Sequence, residues 1–334
     1  MRCLSLLSVL FFLVITDSAY AAAETIYPFN QGNRFPSLFM FLTPTPDSPD
    51  LPPGNITTSV LADYSSIFIN EYSDDWEAIV DLEYTTITIL LETTVFDRFS
   101  IKAEIPFVAM GNGFMDGFLE EYHNAGHFPD YGRIERPHNE FTYYIKEVDG
   151  EYWYQASAEG FRPADTILSV KIPVSVNTRL SFLPEYNFSS TIKYSLKIPT
   201  GDKTQGLGSG EYDHGIFYLT KLTKGRFTYF ISPGFILLET PETPGLDITI
   251  KNMGTLFGGV VFSYEKNWQF SAQLNCFNSP YDFDIDAFDF PGIELSFGFR
   301  HKFSKNTSIE CTFSEDLVGV VPDFTLHSGW TFSF

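Results

Sequence analysis

The sequence predicts an all-β protein: a transmembrane up-and-down antiparallel β-barrel of about 12 strands, with short periplasmic turns and long external loops. Three observations lead there. From residue 55 onward, apolar and polar residues alternate with period two, as in strands whose two faces meet different surroundings. Tight turns alternate with connections that are mostly longer, an arrangement that suits a membrane barrel and has no purpose in a soluble sandwich. Aromatic residues (35 Phe, 18 Tyr and 4 Trp) make up 17% of the 334 residues, an excess that suits a surface facing lipid.

The N-terminus reads as an export signal. Arg2 supplies a positive start, Leu4 to Ile15 form an apolar run, and Ala19-Tyr20-Ala21 offers small residues for cleavage after Ala21, or alternatively after Ala23. The run is too short to cross a bilayer as a helix, which needs about 17–25 residues. The chain thus divides into a signal peptide at 1–21, a Pro-rich N-terminal arm or plug at 22–54, and the barrel at 55–334 with a large loop at 111–163. Pro44, Pro46, Pro49, Pro52 and Pro53 keep the arm from being a regular helix or a central strand.

The strands follow in order at 55–70, 76–94, 98–110, 164–175, 181–199, 213–222, 226–238, 248–264, 268–277, 291–303, 307–317 and 323–334. The clearest alternation runs from Tyr186 to Ile198, where Phe188, Ile192 and Tyr194 oppose Asn187, Lys193 and Lys197. In 76–94, Ile87, Ile89 and Leu91 share the parity of Asp81 and Glu83, which a bulge would reconcile. Strand 213–222 is ambiguous in facing. Tight turns are expected near Asp97-Arg98, Asn177 to Arg179, Lys224-Gly225, Glu265 to Asn267 and Ser304 to Asn306. Loop 111–163 is expected to leave the barrel and to hold a hairpin of Phe141–Val148 with Tyr152–Tyr154.

Charge divides in the same way. The net charge is −21, which leaves no basic footprint for nucleic acid. The tight turns carry Arg98, Arg179, Lys224, Lys266 and Lys305 against Asp97 and Glu265, so most of the acid belongs to the longer loops. Those loops read first as a solvated surface. Asp282, Asp284, Asp286 and Asp289 lack the Gly and the bidentate Glu of an EF-hand, so a strand extension is expected there. Divalent cations bridging acidic loops to lipid phosphates are the looser alternative. His123, His127 and His138 would suit a metal only on a helix, which Gly126 and Pro129 oppose.

The closing strand presents Phe324, Leu326, Trp330, Phe332 and Phe334 on one parity. Gly329, Trp330, Phe332 and the final Phe334 fit the terminal pattern that outer-membrane assembly machinery takes up. Several segments resemble an uncharacterised bacterial family of outer-membrane barrels, domain of unknown function 3187. These are Asn30-Gln31 to Pro36, Leu196 to Asp202, Leu207 to Gly210 with Asp213, and Glu315-Asp316 with Asp323 to Leu326. The stretch Pro199-Thr200-Gly201-Asp202 also resembles barrels of aromatic-degradation pathways. The resemblance implies fold and a bacterial outer-membrane location; the family has no established activity to carry over.

Inward parity collects Lys102, Glu104, Lys171, Lys193, Lys197, Glu294, Arg300, Lys302, Glu310 and His327, whose opposite charges can bridge the bore. About twelve strands lie between the eight that side chains fill and the 16–18 of an open porin. The expected function is a narrow passive channel or small-molecule uptake barrel, partly closed by loop 111–163 or by the arm, with no cofactor. Its alternatives are a structural or adhesion barrel with acidic surface loops, and a membrane-embedded lipid-modifying enzyme built on His327 or His301 with Ser314 and Glu310. Cys276 and Cys311 lie two strands apart, about 9.6 Å, too far for a disulfide.

Overall fold

A computed structural model describes residues 26–30, 35–52, 56–96, 98–126, 133–157, 160–241, 249–282 and 284–334. The export signal, Asp97, His127 and Phe283 lie outside these. Among the described residues fifteen strands follow in chain order: β1 (Ile56–Tyr72), β2 (Trp76–Val95), β3 (Phe99–Gly111), β4 (Thr142–Glu147), β5 (Tyr152–Gln155), β6 (Arg162–Pro163), β7 (Thr166–Leu180) and β8 (Leu183–Ile198). The second half adds β9 (Asp213–Lys224), β10 (Phe227–Leu237), β11 (Met253–Tyr264), β12 (Trp268–Phe277), β13 (Gly292–Lys302), β14 (Thr307–Val318) and β15 (Phe324–Ser333). Without the short β4, β5 and β6, twelve antiparallel strands pair in sequence order, and β1 closes on β15 with Asp63 opposite His327.

Burial inverts the order found in a soluble protein. On β8, Lys193 and Lys197 are each 1% exposed, while their neighbours Ile192 and Tyr194 are 41% and 44% exposed. The same inversion on β13 sets buried Glu294 and Arg300 beside exposed Phe297 and Phe299. An apolar outer face and a polar interior on a closed sheet form the fold of bacterial outer-membrane proteins. The seam ends in an aromatic band: Phe334 N–H donates to Ile56 O at 2.8 Å, and Trp330 stacks on Phe303 at 6.1 Å. Of the predicted closing residues, Trp330, Phe332 and Phe334 face outward, and Phe324 is covered. Gly329 faces inward, where a Cβ would lie 2.9 Å from Glu310 Cγ. Cys276 and Cys311 are in no disulfide and stand on strands separated by β13.

Several local expectations are corrected. The turn placed at Asn177 to Arg179 lies inside β7, because outward alternation continues through Val174 and Val176 and irregular register extends the hairpin to Leu180–Leu183. Residues 249–252 precede the strand expected from 248. No bulge interrupts β2. Asp81 and Glu83 keep their outward parity, and loop 111–163 covers them. Arg136 Nε pairs with Asp81 at 3.1 Å, and Glu83 accepts the Phe114 and Met115 N–H groups at 3.0 and 2.6 Å. A carboxylate receiving the free N–H groups ahead of a helix is a stable start. Helix α1 (Asp116–Gly126) follows, and Gly126 ends it rather than forbidding it.

Leu119 of α1 packs with Met115 and Phe324, and the ring of Phe118 lies 6.2 Å from Phe324, so this loop lies against the outer wall. Buried Arg133 ties it down through Asp116 at 2.7 Å and Asp323 at 2.5 Å. Burial alone would lower the Arg133 guanidinium, but Asp323 and Asp116 raise it above its ordinary value. Farther along, β4 pairs with the outer end of β2, and β5 pairs with β4, where the sequence predicts a hairpin. The Asp282–Asp289 segment is not a strand extension. Asp286–Asp289 form one helical turn, α2, whose three-residue spacing sends Ile285 and Phe288 together into the core.

Candidate functional site

The interior of the barrel holds the N-terminal arm. Residues 26–30, the rising leg, lie toward the short-turn end; residues 35–42 lie at the long-loop end; and residues 43–52, the descending leg, lead back toward the short-turn end. Each leg is fixed by side chains from the wall. On the rising leg, Arg300 donates to Tyr27 O at 2.9 Å and Pro28 O at 3.1 Å. Phe29 N–H donates to Gln273 Oε1 at 2.6 Å, and Asn30 N–H to Glu310 Oε1 at 3.0 Å. Backbone groups with no strand partner thus find acceptors and donors on the wall.

Glu310 and Arg300 form a buried ion pair. Glu310 also lies 3.2 Å from His327 Nε2, while Asp63 lies 2.6 Å from His327 Nδ1. Both ring nitrogens therefore face carboxylates. Ser314 Oγ is held by Ser296 Oγ at 2.8 Å. His301 sits on the outer face against Trp268, with ring centroids 4.3 Å apart.

At the long-loop end the surroundings are apolar. Phe35, Leu38, Phe41 and Leu42 of the arm pack with Tyr281 and Phe288, with Phe217 and Leu219 of the wall, and with Val80, Tyr143 and Trp153 of the β1–β2–β4–β5 extension. Phe35 meets Phe288 edge-on at 5.6 Å, and Tyr281 OH donates to Ser37 O at 2.7 Å. Below them, Leu42 N–H donates to Asp213 Oδ2 at 2.8 Å. Asp213 and Asp165 hold Lys197, at 3.5 and 2.7 Å.

The descending leg enters a basic wall. Asp47 receives Lys102 at 3.3 Å, Lys171 at 3.1 Å and Lys193 at 3.3 Å. Glu104 adds a contact to Lys102 at 3.1 Å, and Glu92 one to Lys171 at 2.8 Å. Burial would raise the Asp47 carboxyl, but the three ammonium groups outweigh it and hold the group well below the ordinary carboxylate range. Thr191 Oγ1 donates to Pro49 O at 2.6 Å, and Asp50 pairs with Lys221. Six formal charges (Asp47, Glu92, Glu104, Lys102, Lys171 and Lys193) meet here largely shielded from solvent, so each depends on its partners.

Beneath this leg a cavity of about 1060 Å³ opens at the short-turn end. Its bases are Lys102, Lys221, Arg300 and Lys302 on the wall, with Lys224, Arg226, Lys266 and Lys305 at the turns. Asp47, Glu92, Glu185 and Glu265 are its acids, eight bases against four acids in a chain of net charge −21.

Nine of the predicted inward residues, Lys102, Glu104, Lys171, Lys193, Lys197, Glu294, Arg300, Glu310 and His327, are buried in the barrel, and Lys302 is half-buried on the cavity wall. They do not form one site. Lys102, Glu104, Lys171 and Lys193 gather around Asp47; Arg300, Glu310 and His327 form a second group; Lys197 stands with Asp165 and Asp213. Glu294 accepts from Asn275 at 3.4 Å. Sequence reasoning misses Asp47, Asp50, Asp63 and Lys221. The signal for the first two was the surplus of inward lysines, which demands a countercharge from elsewhere. His138 pairs with Glu120 at 2.8 Å and His123 is buried on α1. Among the described residues no group of three or more His, Cys, Asp or Glu is arranged to hold a metal ion.

Among solved structures, the NanC porin aligns with a TM-score of 0.47 and 7% identity over 83% of this chain and 100% of that one. The CymD monoaromatic hydrocarbon channel gives 0.38 and 10% over 84% and 89%. The outer membrane phospholipase A from Escherichia coli gives 0.39 and 8% over 83% and 90%. No curated protein matches. The model of a family described as protein of unknown function (DUF3187) matches residues 4–334, and the chain belongs to that family.

Proposed function

We propose that this protein is a narrow outer-membrane channel or small-molecule uptake barrel whose bore is occupied by its own N-terminal arm. In this reading the chain is exported by its signal, the short turns face the periplasm, and Gly329, Trp330, Phe332 and Phe334 guide assembly. The observation that carries it is the lining. A barrel serving only as a scaffold or adhesin gains nothing from a wall of buried lysines beside an open cavity of about 1060 Å³. Buried charge is costly and replaceable by apolar packing, so its presence points to traffic through the bore. A hydrolase is disfavoured because both His327 nitrogens face carboxylates, so neither is directed at a serine.

Planar-bilayer recording of the refolded full chain tests this. Brief, infrequent current steps are expected from the native chain, and more frequent ones from Asp47→Asn/Asp50→Asn, which weakens the arm's hold on the wall. Silence from both proteins, each shown to be a heat-modifiable barrel, would overturn the channel reading in favour of an adhesion barrel. Silence accompanied by lipid turnover would favour the enzyme.

A further inference from the structure

We infer that the wall formed by Lys102, Lys171, Lys193 and Lys221 is a track for an anionic solute bearing carboxylate or phosphate, and that Asp47 and Asp50 occupy it as a tethered competitor. The track deepens the channel reading and rests on it for the solute's passage. These four lysines stand on β3, β7, β8 and β9, whose inward faces adjoin around one side of the bore. Glu92 and Glu104 are the carboxylates that the same side supplies to Lys171 and Lys102. Two of the four charges are therefore balanced by the wall, and the other two by the arm's Asp47 and Asp50. A wall needing only stability would carry its own counterions on neighbouring strands, as Arg300 does with Glu310 across β13 and β14.

The arm presents its acids as a solute would. Asp47 lies where three ammonium groups converge, offers both oxygens, and is held on a segment without helix or strand structure. The open cavity continues the track. Lys102 and Lys221 line both, and the remaining bases around it raise the local concentration of anions entering from the short-turn end. All these groups lie inside the ring of strands or on its turns, which suits a dissolved anion rather than a lipid headgroup held in the bilayer.

Calorimetric titration of the full chain in detergent, with succinate, inorganic phosphate and putrescine as separate probes, tests the inference without needing current. Asp47→Asn/Asp50→Asn should bind one or both anions at least about tenfold more tightly than the native chain, because a tethered competitor at high effective concentration has been removed. Adding Lys193→Gln and Lys221→Gln to that variant should abolish the gain, and putrescine should not bind more tightly. In bilayers the Asp47→Asn/Asp50→Asn currents should favour chloride over potassium. Anion binding with silent bilayers would sustain the track and remove the channel. Cation-selective currents with no gain in anion binding would sustain the channel and overturn the track. Retention of the gain after both lysine changes would also overturn it.

Discussion

The two halves of the bore hold the same arm by opposite means. At the long-loop end Phe35, Phe41 and Leu42 are buried among Tyr281, Phe288, Phe217 and Trp153, and the attachment is mainly apolar, joined by hydrogen bonds from Tyr281 to Ser37 and from Leu42 to Asp213. At the short-turn end Asp47 and Asp50 meet Lys102, Lys171, Lys193 and Lys221, and the attachment is directional and ionic. The border falls at Phe217, whose ring lies 5.1 Å from Lys193 Nζ. An apolar anchor resists changes of salt and pH, whereas an ionic anchor can be exchanged for another anion. The first half therefore secures the arm, and the second makes its release chemically addressable.

Substitutions should separate these halves. Phe288→Ala, which empties a fully buried site in the apolar half, should destabilise the capped end by about 4 kcal/mol. Urea unfolding in lipid vesicles checks the cost, and protease sensitivity near residues 35–42 checks its place. Asp47→Asn should cost about 3 kcal/mol of arm docking, since three buried ammonium groups lose a shared partner. Its effect should be confined to residues 43–52, with the apolar anchor intact. An equal effect of both substitutions along the whole arm would erase the distinction between the halves.

Acid should loosen the ionic half. The folded Asp47 carboxyl lies below its unfolded value, so its stabilisation is present above the ordinary carboxylate pKa of about 4 and is lost as pH falls through the folded value. Arm protection should therefore persist from pH 7 to about 4 and decline only in stronger acid. Limited proteolysis across that range checks the sign. The smallest effect belongs to the cavity rim, where Glu185 pairs with Lys224 in solvent. Glu185→Gln should leave the thermal transition unchanged.

Much of this was legible because a membrane barrel writes its two faces in alternate residues. Lys193 and Ile192 declare their directions without help from the rest of the chain. Strand β9 was ambiguous for a physical reason: Phe217 and Leu219 face the apolar core while Ile216 and Tyr218 face outward, so both parities read apolar. Asp81 and Glu83 misled because a covering loop supplies partners on the outer face, which alternation within β2 cannot reveal. The inward charges were readable one strand at a time, but their grouping depends on which strands adjoin. Asp47 and Asp50 were hidden more deeply. In a Pro-rich segment without periodicity they look like turn residues, and only the path of the arm brings them to the lysines.

The central claim is that residues 26–30 and 35–52 lie inside the barrel, anchored by both halves. Amide hydrogen exchange of the full chain in lipid nanodiscs tests it most directly. Phe29, Asn30 and Leu42, whose N–H groups donate to Gln273, Glu310 and Asp213, should exchange nearly as slowly as the strand amides around them. Rapid exchange along the whole arm, with the strands still protected, would contradict the account.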